Sequence, residues 1–140
     1  MSHLSKKNIF FAVLSFMLFC TCNDKSDTRY SKLKKTKTEE IGKICVNTII
    51  DVGRVKENHI NIDIPVINCG TVIIKNFEVV STCDCTTLNT IPTQIQSKDS
   101  LIIKAKIDIS EEKKYFRKLL FLYGTFYPFV REIYVEGYKE

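Results

Sequence analysis

Residues 100–110 read SLIIKAKIDIS. Leu101, Ile103, Ala105, Ile107 and Ile109 recur at every second position, with Lys104, Lys106 and Asp108 between them. Side chains alternate across a β-strand, so this pattern makes a strand with one apolar and one wet face. HINIDIPVIN (59–68) repeats it: Ile60, Ile62, Ile64 and Val66 oppose His59, Asn61 and Asp63. Pro65 lacks a backbone donor and predicts an unpaired side or a bulge there. In FVREIYVEGY (129–138), Phe129, Arg131, Ile133 and Val135 alternate with Val130, Glu132, Tyr134 and Glu136. ICVNTIIDVG (44–53) and TVIIKNFEVV (71–80) are β-branched and strand-like. The second changes phase between Ile74 and Phe77, which predicts a bulge. The charges of EEKKYFRKLLFLYG (111–124) suit a helix, but Tyr115 to Tyr123 reads as a strand. Leu120 and Leu122 take one face; Leu119, Phe121 and Tyr123 take the other.

Six or seven strands at intervals of about ten to fifteen residues, with no strong helical pattern, predict an all-β chain. The expected fold is an immunoglobulin-like antiparallel β-sandwich of about seven strands. The chain has no tryptophan, so the Cys-Trp-Cys core of antibody domains is absent. Residues 43–140 suffice for one compact domain. The aromatics of LYGTFYPF (122–129) are read as a plug for one end of the sandwich, against an exposed binding loop for carbohydrate or protein.

The N-terminal segment reads as an address. Lys6 and Lys7 precede IFFAVLSFMLF (9–19), an apolar run short for a bilayer span and suited to a signal peptide. CTCND follows, and the composition then turns polar. A cysteine after such a run suggests a lipoprotein signal over residues 1–21, with Cys22 acylated and Cys20 as the alternative. Several acyl chains would hold the protein firmly on a membrane. Residues 22–42 hold few large apolar groups and are expected to be a disordered tether, with a reach of roughly 25 Å. Its basic run from Arg29 to Lys37 is read as a solvated stretch, with contact to anionic head groups as the alternative.

The whole chain carries a formal charge of +5, but residues 43–140 hold 13 basic and 12 acidic residues. That near-balance is no nucleic-acid footprint. Among enzyme signatures, Gly-x-Ser-x-Gly, His-Glu-x-x-His and a phosphate-cradling glycine loop are missing. His59 is the only histidine after the signal and lies on a strand's polar face. No catalytic residue, metal site or cofactor is therefore assigned.

Four cysteines remain in the domain: Cys45, Cys69, Cys83 and Cys85. In an exported chain they are candidates for disulfides, and three full pairings are open. Cys83 and Cys85 in one extended strand lie at the edge of bonding distance, and a turn at Asp84 would relieve that. Cys69 has Cys85 and Cys45 as other partners. A thiol/disulfide or metal protein, binding copper or zinc through Cys83 and Cys85, is the rival reading. Asp84 weighs against it, because a neighbouring carboxylate raises a thiol pKa.

The order of short motifs adds a resemblance. DVGRVKE (51–57), NCG (68–70), STCDCTT (81–87) and IPTQIQSKDSLIIKAKID (91–108) resemble domain-of-unknown-function family 1573. That family's pattern runs Asp-Phe-Gly, Asn-Thr-Gly, Ser-Cys-Gly-Cys-Thr, Pro-Gly and a final strand. Cys83, Cys85 and Thr86 match its most specific element, with Asp84 in place of glycine. Ser97-Lys98-Asp99 replaces Pro-Gly, Val52 replaces Phe, and Cys69 replaces Thr, so the chain is similar to a divergent member. The resemblance spans about residues 43–138. It implies an immunoglobulin-like domain, related to Hydin and major-sperm-protein sandwiches and common in lipoproteins of Bacteroidetes. It implies an envelope location and supplies no reaction. Gly53 and Gly70 are read as turn glycines that permit positive φ or tight backbone approach.

The expectation is thus a non-enzymatic, lipid-anchored outer-membrane protein of the cell envelope. Its domain binds or assembles with another envelope protein, by way of a sheet edge. The strands containing Pro65 and the chain terminus are the expected edges.

Overall fold

The computed structural model describes residues 25–140. The expected signal peptide and both candidate lipidation sites, Cys20 and Cys22, lie outside the described residues. The strands are β1 (Ile44–Val46), β2 (Ile49–Val55), β3 (His59–Asn68), β4 (Glu78–Ser81), β5 (Thr86–Leu88), β6 (Ser100–Asp108), β7 (Tyr115–Tyr123) and β8 (Val130–Lys139). They form two four-stranded sheets, ordered β1-β3-β6-β5 and β2-β8-β7-β4. The fold is an immunoglobulin-like β-sandwich. Among the described strands the pairing is antiparallel except that β2 runs parallel to β8, and an isolated parallel bridge joins Gly42 to Phe126.

The alternating residues make the core. Ile64, Val66, Ile103, Leu120, Leu122 and Ile133 are fully buried between the sheets. Ile60, Ala105, Ile107, Phe116 and Val135 continue the core toward the other end. Each such Val, Leu, Ile or Phe side chain contributes about 1.5–3 kcal/mol through burial. Phe126 has no exposed surface, so LYGTFYPF does plug one end, while Tyr127 projects from it at 75% exposure.

Two local expectations are revised, and the unpaired side expected at Pro65 is present. Residues 71–77 form no strand with a bulge; only Ile74 bridges, to Ile95, and Asn76 turns the backbone at φ 52°. Neither β3 nor β8 is an edge, because each has partners on both sides; the edges are β1, β5, β2 and β4. Pro65 is accommodated because β1 pairs with β3 only as far as Val66.

The segment expected as a disordered tether is partly ordered. Helix α1 spans Lys25–Leu33 and a short 3-10 turn covers Thr38–Glu40. Leu33 is buried, and Arg29 Nε lies 2.8 Å from Glu78 Oε2. The Arg29 guanidinium stands 5.9 Å from the Tyr123 ring centre, and Tyr30 meets Phe129 edge-on at 6.5 Å. Gly42 then donates its N–H to Thr125 O at 2.7 Å.

Candidate functional site

The residues singled out in the sequence sit at the joints of the sandwich. Asp51, in β2, accepts the Gly53 N–H on Oδ1 at 2.8 Å. Gly53 adopts φ +69°, and the β2–β8 register shifts between Asp51 and Arg54. Gly53 is therefore a bulge glycine inside a strand, not a turn between strands. Gly70 meets the second condition, tight approach: a Cβ there would lie 2.9 Å from the Lys43 backbone N.

Asn68 ends β3 with no exposed surface. Its Nδ2 donates to Val72 O at 2.8 Å and Ile95 O at 3.0 Å, while Oδ1 accepts the Gly70 N–H at 3.1 Å. One amide thereby knits two strand-less segments, the loop after β3 and the stretch around Ile95, to the sheet. The sequence shows Asn68 within NCG without showing its task. An Asn two residues before Gly, closing an apolar strand, is the signal that could have revealed it.

STCDCTT carries the chain from β4, an edge of one sheet, to β5, an edge of the other. The turn at Asp84 that the spacing requires is present, with Cα atoms of Cys83 and Cys85 5.1 Å apart, and the two form a disulfide. Ser81 Oγ braces the turn: it donates to Cys83 O at 3.0 Å and accepts the Cys83 N–H at 3.2 Å. The Thr86 hydroxyl lies 3.6 Å from Cys83 Sγ and 3.8 Å from Cys85 Sγ. Cys85 O accepts the Asp108 N–H at 2.8 Å, which ties the turn to the end of β6. Asp84 is exposed and is not among the residues at positive φ, so this backbone has no need of glycine between the cysteines. Lys98 is the reverse case. It sits at φ 64°, in the stretch where the resembled pattern carries Pro-Gly.

The other pair is Cys45–Cys69, with Cα atoms 5.9 Å apart, so the structure takes one of the three open pairings. It joins β1 to the residue after β3. All four domain cysteines are thus engaged with each other. Among the described residues, no group of three or more His, Cys, Asp or Glu converges to hold a metal. Near the cysteine turn, His59 Nε2 lies 3.6 Å from Asp108 Oδ2. Hydrogen bonds from the Ser110 amide and hydroxyl hold the Asp108 carboxyl below its ordinary value; His59 and Lys106 act in the same direction. Both His59 and Asp108 are solvent-accessible, which makes this a surface contact of small weight.

A different region has the geometry of a contact surface. At Asn47–Thr48 the chain leaves one sheet and enters the other, and an open cleft of about 550 Å³ lies there. Ile44, Val46, Pro65, Ile67 and Arg131 help line it. Beside it runs β2, whose outer edge pairs with no other strand among the described residues. Ile49, at its start, is 55% exposed and Ile67 is 44% exposed.

No family model matches the chain, and no curated protein matches it. Solved structures do. A protein of unknown function from Porphyromonas gingivalis W83 superposes with a TM-score of 0.64 at 15% identity, over 75% of this chain and 50% of that one. The secreted serine protease VesC from Vibrio cholerae gives 0.57 at 15% identity, over 69% of this chain and 23% of that one. The ASH/PapD-like domain 7 of human CEP192 gives 0.57 at 9% identity, over 76% of this chain and 91% of that one. The chain thus spans half the length of the first of these, less than a quarter of the second and most of the third. At these identities the likeness carries the fold alone.

Proposed function

We propose that this chain is a non-enzymatic, lipid-anchored protein of the cell envelope, a divergent relative of domain-of-unknown-function family 1573. Acylation falls on Cys22, with Cys20 as the alternative. The sandwich binds a second envelope protein along the outer edge of β2 and the adjoining cleft. The observation that carries this reading is the seven-residue edge strand β2 with exposed Ile49 at its start. An open edge offers unpaired N–H and C=O groups to an extended segment of a partner, and pockets beside it select side chains. The motif residues support the family reading in a particular way. Asp51, Asn68, Ser81 and the two glycines spend their polar groups or their conformational freedom on holding the backbone. Residues used in that way mark a fold, not a reaction.

Two measurements test the proposal. Mass spectrometry of the mature N-terminus is expected to find an acylated Cys22; an unmodified cysteine or a start elsewhere rejects the anchor. A photo-crosslinking residue at Ile49, activated in native cells, is expected to trap one discrete envelope protein. The same residue at Ile102, on the outer face of β6, should not trap it. Equal trapping at both positions, or none at Ile49, rejects the edge.

A further inference from the structure

We propose that the pole of the sandwich built by α1 and residues 125–129 docks onto an anionic phospholipid bilayer. Residues 29–37 hold five basic side chains and no acidic one. Lys32, Lys34, Lys35 and Lys37 are exposed. Folding does not leave this run on a free tether. Tyr30 lies against Phe129, Leu33 is buried, and Gly42 hydrogen-bonds Thr125, so both ends of residues 30–42 are fastened to one loop. That loop presents Tyr127 at 75% exposure. Lys75 adds an exposed cation, since its N–H and its C=O both bond Thr125. Opposing charge in the same region comes from Asp27 within the α1 sequence and from Glu39, Glu40 and Glu78, and Arg29 neutralises Glu78.

Cations beside an exposed phenol make a surface complementary to lipid head groups. Each lysine near an anionic bilayer contributes about a fivefold gain in partitioning, and tyrosine prefers the boundary between head groups and acyl chains. The inference deepens the anchored reading. With Cys22 acylated, Asn23 and Asp24 alone separate the acylated residue from the start of α1. Docking of α1 on the sandwich then lays this pole against the bilayer and turns the opposite end outward.

The test uses residues 23–140, which contain every described core residue and lack an acyl chain. Vesicles of phosphatidylcholine with about 30% phosphatidylglycerol are compared with phosphatidylcholine alone by co-sedimentation at low salt. Binding is expected at least about tenfold tighter to the anionic vesicles, and to be lost at about 1 M salt. The quadruple variant Lys32→Gln/Lys34→Gln/Lys35→Gln/Lys37→Gln should lose about tenfold or more with its melting temperature unchanged, and Tyr127→Ser about threefold. Equal binding to the two compositions, no binding to either, or binding indifferent to the quadruple variant overturns the proposal. The two readings fail separately. Loss of vesicle binding beside an acylated Cys22 rejects the docking surface and keeps the anchor; vesicle binding beside an unacylated Cys22 does the reverse.

Discussion

Asn68 has no exposed surface, yet its side chain and its backbone are both fully engaged. Removing its amide leaves two carbonyls and one N–H to find other partners in a site with little room. Asn68→Ala is expected to cost about 2–4 kcal/mol, because unmade buried hydrogen bonds are expensive. Urea denaturation of wild type and variant measures it; a loss under about 1 kcal/mol would show that water replaces the amide. Lys98 calls for a substitution in the other direction. At φ 64° its Cβ crowds the backbone, at a cost of about 1–2 kcal/mol. Lys98→Gly should therefore raise stability by up to about 1 kcal/mol, the balance being glycine's extra chain entropy and the lost Nζ contact to Cys69 O. A lower melting temperature in that variant would refute the argument. Both residues lie in motifs that were readable from the sequence. Their tasks were not, because Asn68's partners Val72 and Ile95 and the φ of Lys98 are set by segments that meet only after folding.

At the level of elements, period-two patterns located β3, β6, β7 and β8 well, since each buries one face along its whole length. The 71–80 stretch misled for a physical reason. It is apolar and β-branched, but its Ile74 and Phe77 are buried as isolated anchors around the turn at Asn76, and only Glu78–Ser81 pairs as a strand. Helix α1 was hidden for the opposite reason. KSDTRYSKL has a polar composition, and nine residues are too few for a stable helix in water. Its order comes from Leu33, Arg29 and Tyr30 reaching the sandwich. So few contacts make α1 the most easily opened element. Hydrogen exchange should give its amides opening free energies of about 1–2 kcal/mol, well below those of β3 and β6. Leu33→Ala should erase that protection without moving the main thermal transition. If α1 instead exchanges only with the central strands, it is an integral part of the core.

Across the whole molecule, the two disulfides act on different problems. The sandwich must hold β1 and β2, consecutive pieces of chain, on opposite sheets. Cys45–Cys69 fastens β1 to the end of β3 at a sequence separation of 24, while the β1–β3 ladder itself has three residue pairs. Cys83–Cys85 spans a separation of 2 and stiffens only the crossing from β4 to β5. The longer loop removes more freedom from the unfolded chain. The loop-entropy relation gives about 3.5 kcal/mol for the first bond and about 1.5 kcal/mol for the second. Cys45→Ser/Cys69→Ser should therefore destabilise the oxidised protein more than Cys83→Ser/Cys85→Ser, and the double-variant effects should add, since the two bonds constrain separate segments. Denaturant midpoints of the two double variants and the quadruple variant decide this. If the Cys83–Cys85 pair proves the costlier loss, the cysteine turn contributes native packing beyond loop closure, and Cys85's contact with the core around Ile107 and Leu88 is where that energy would reside.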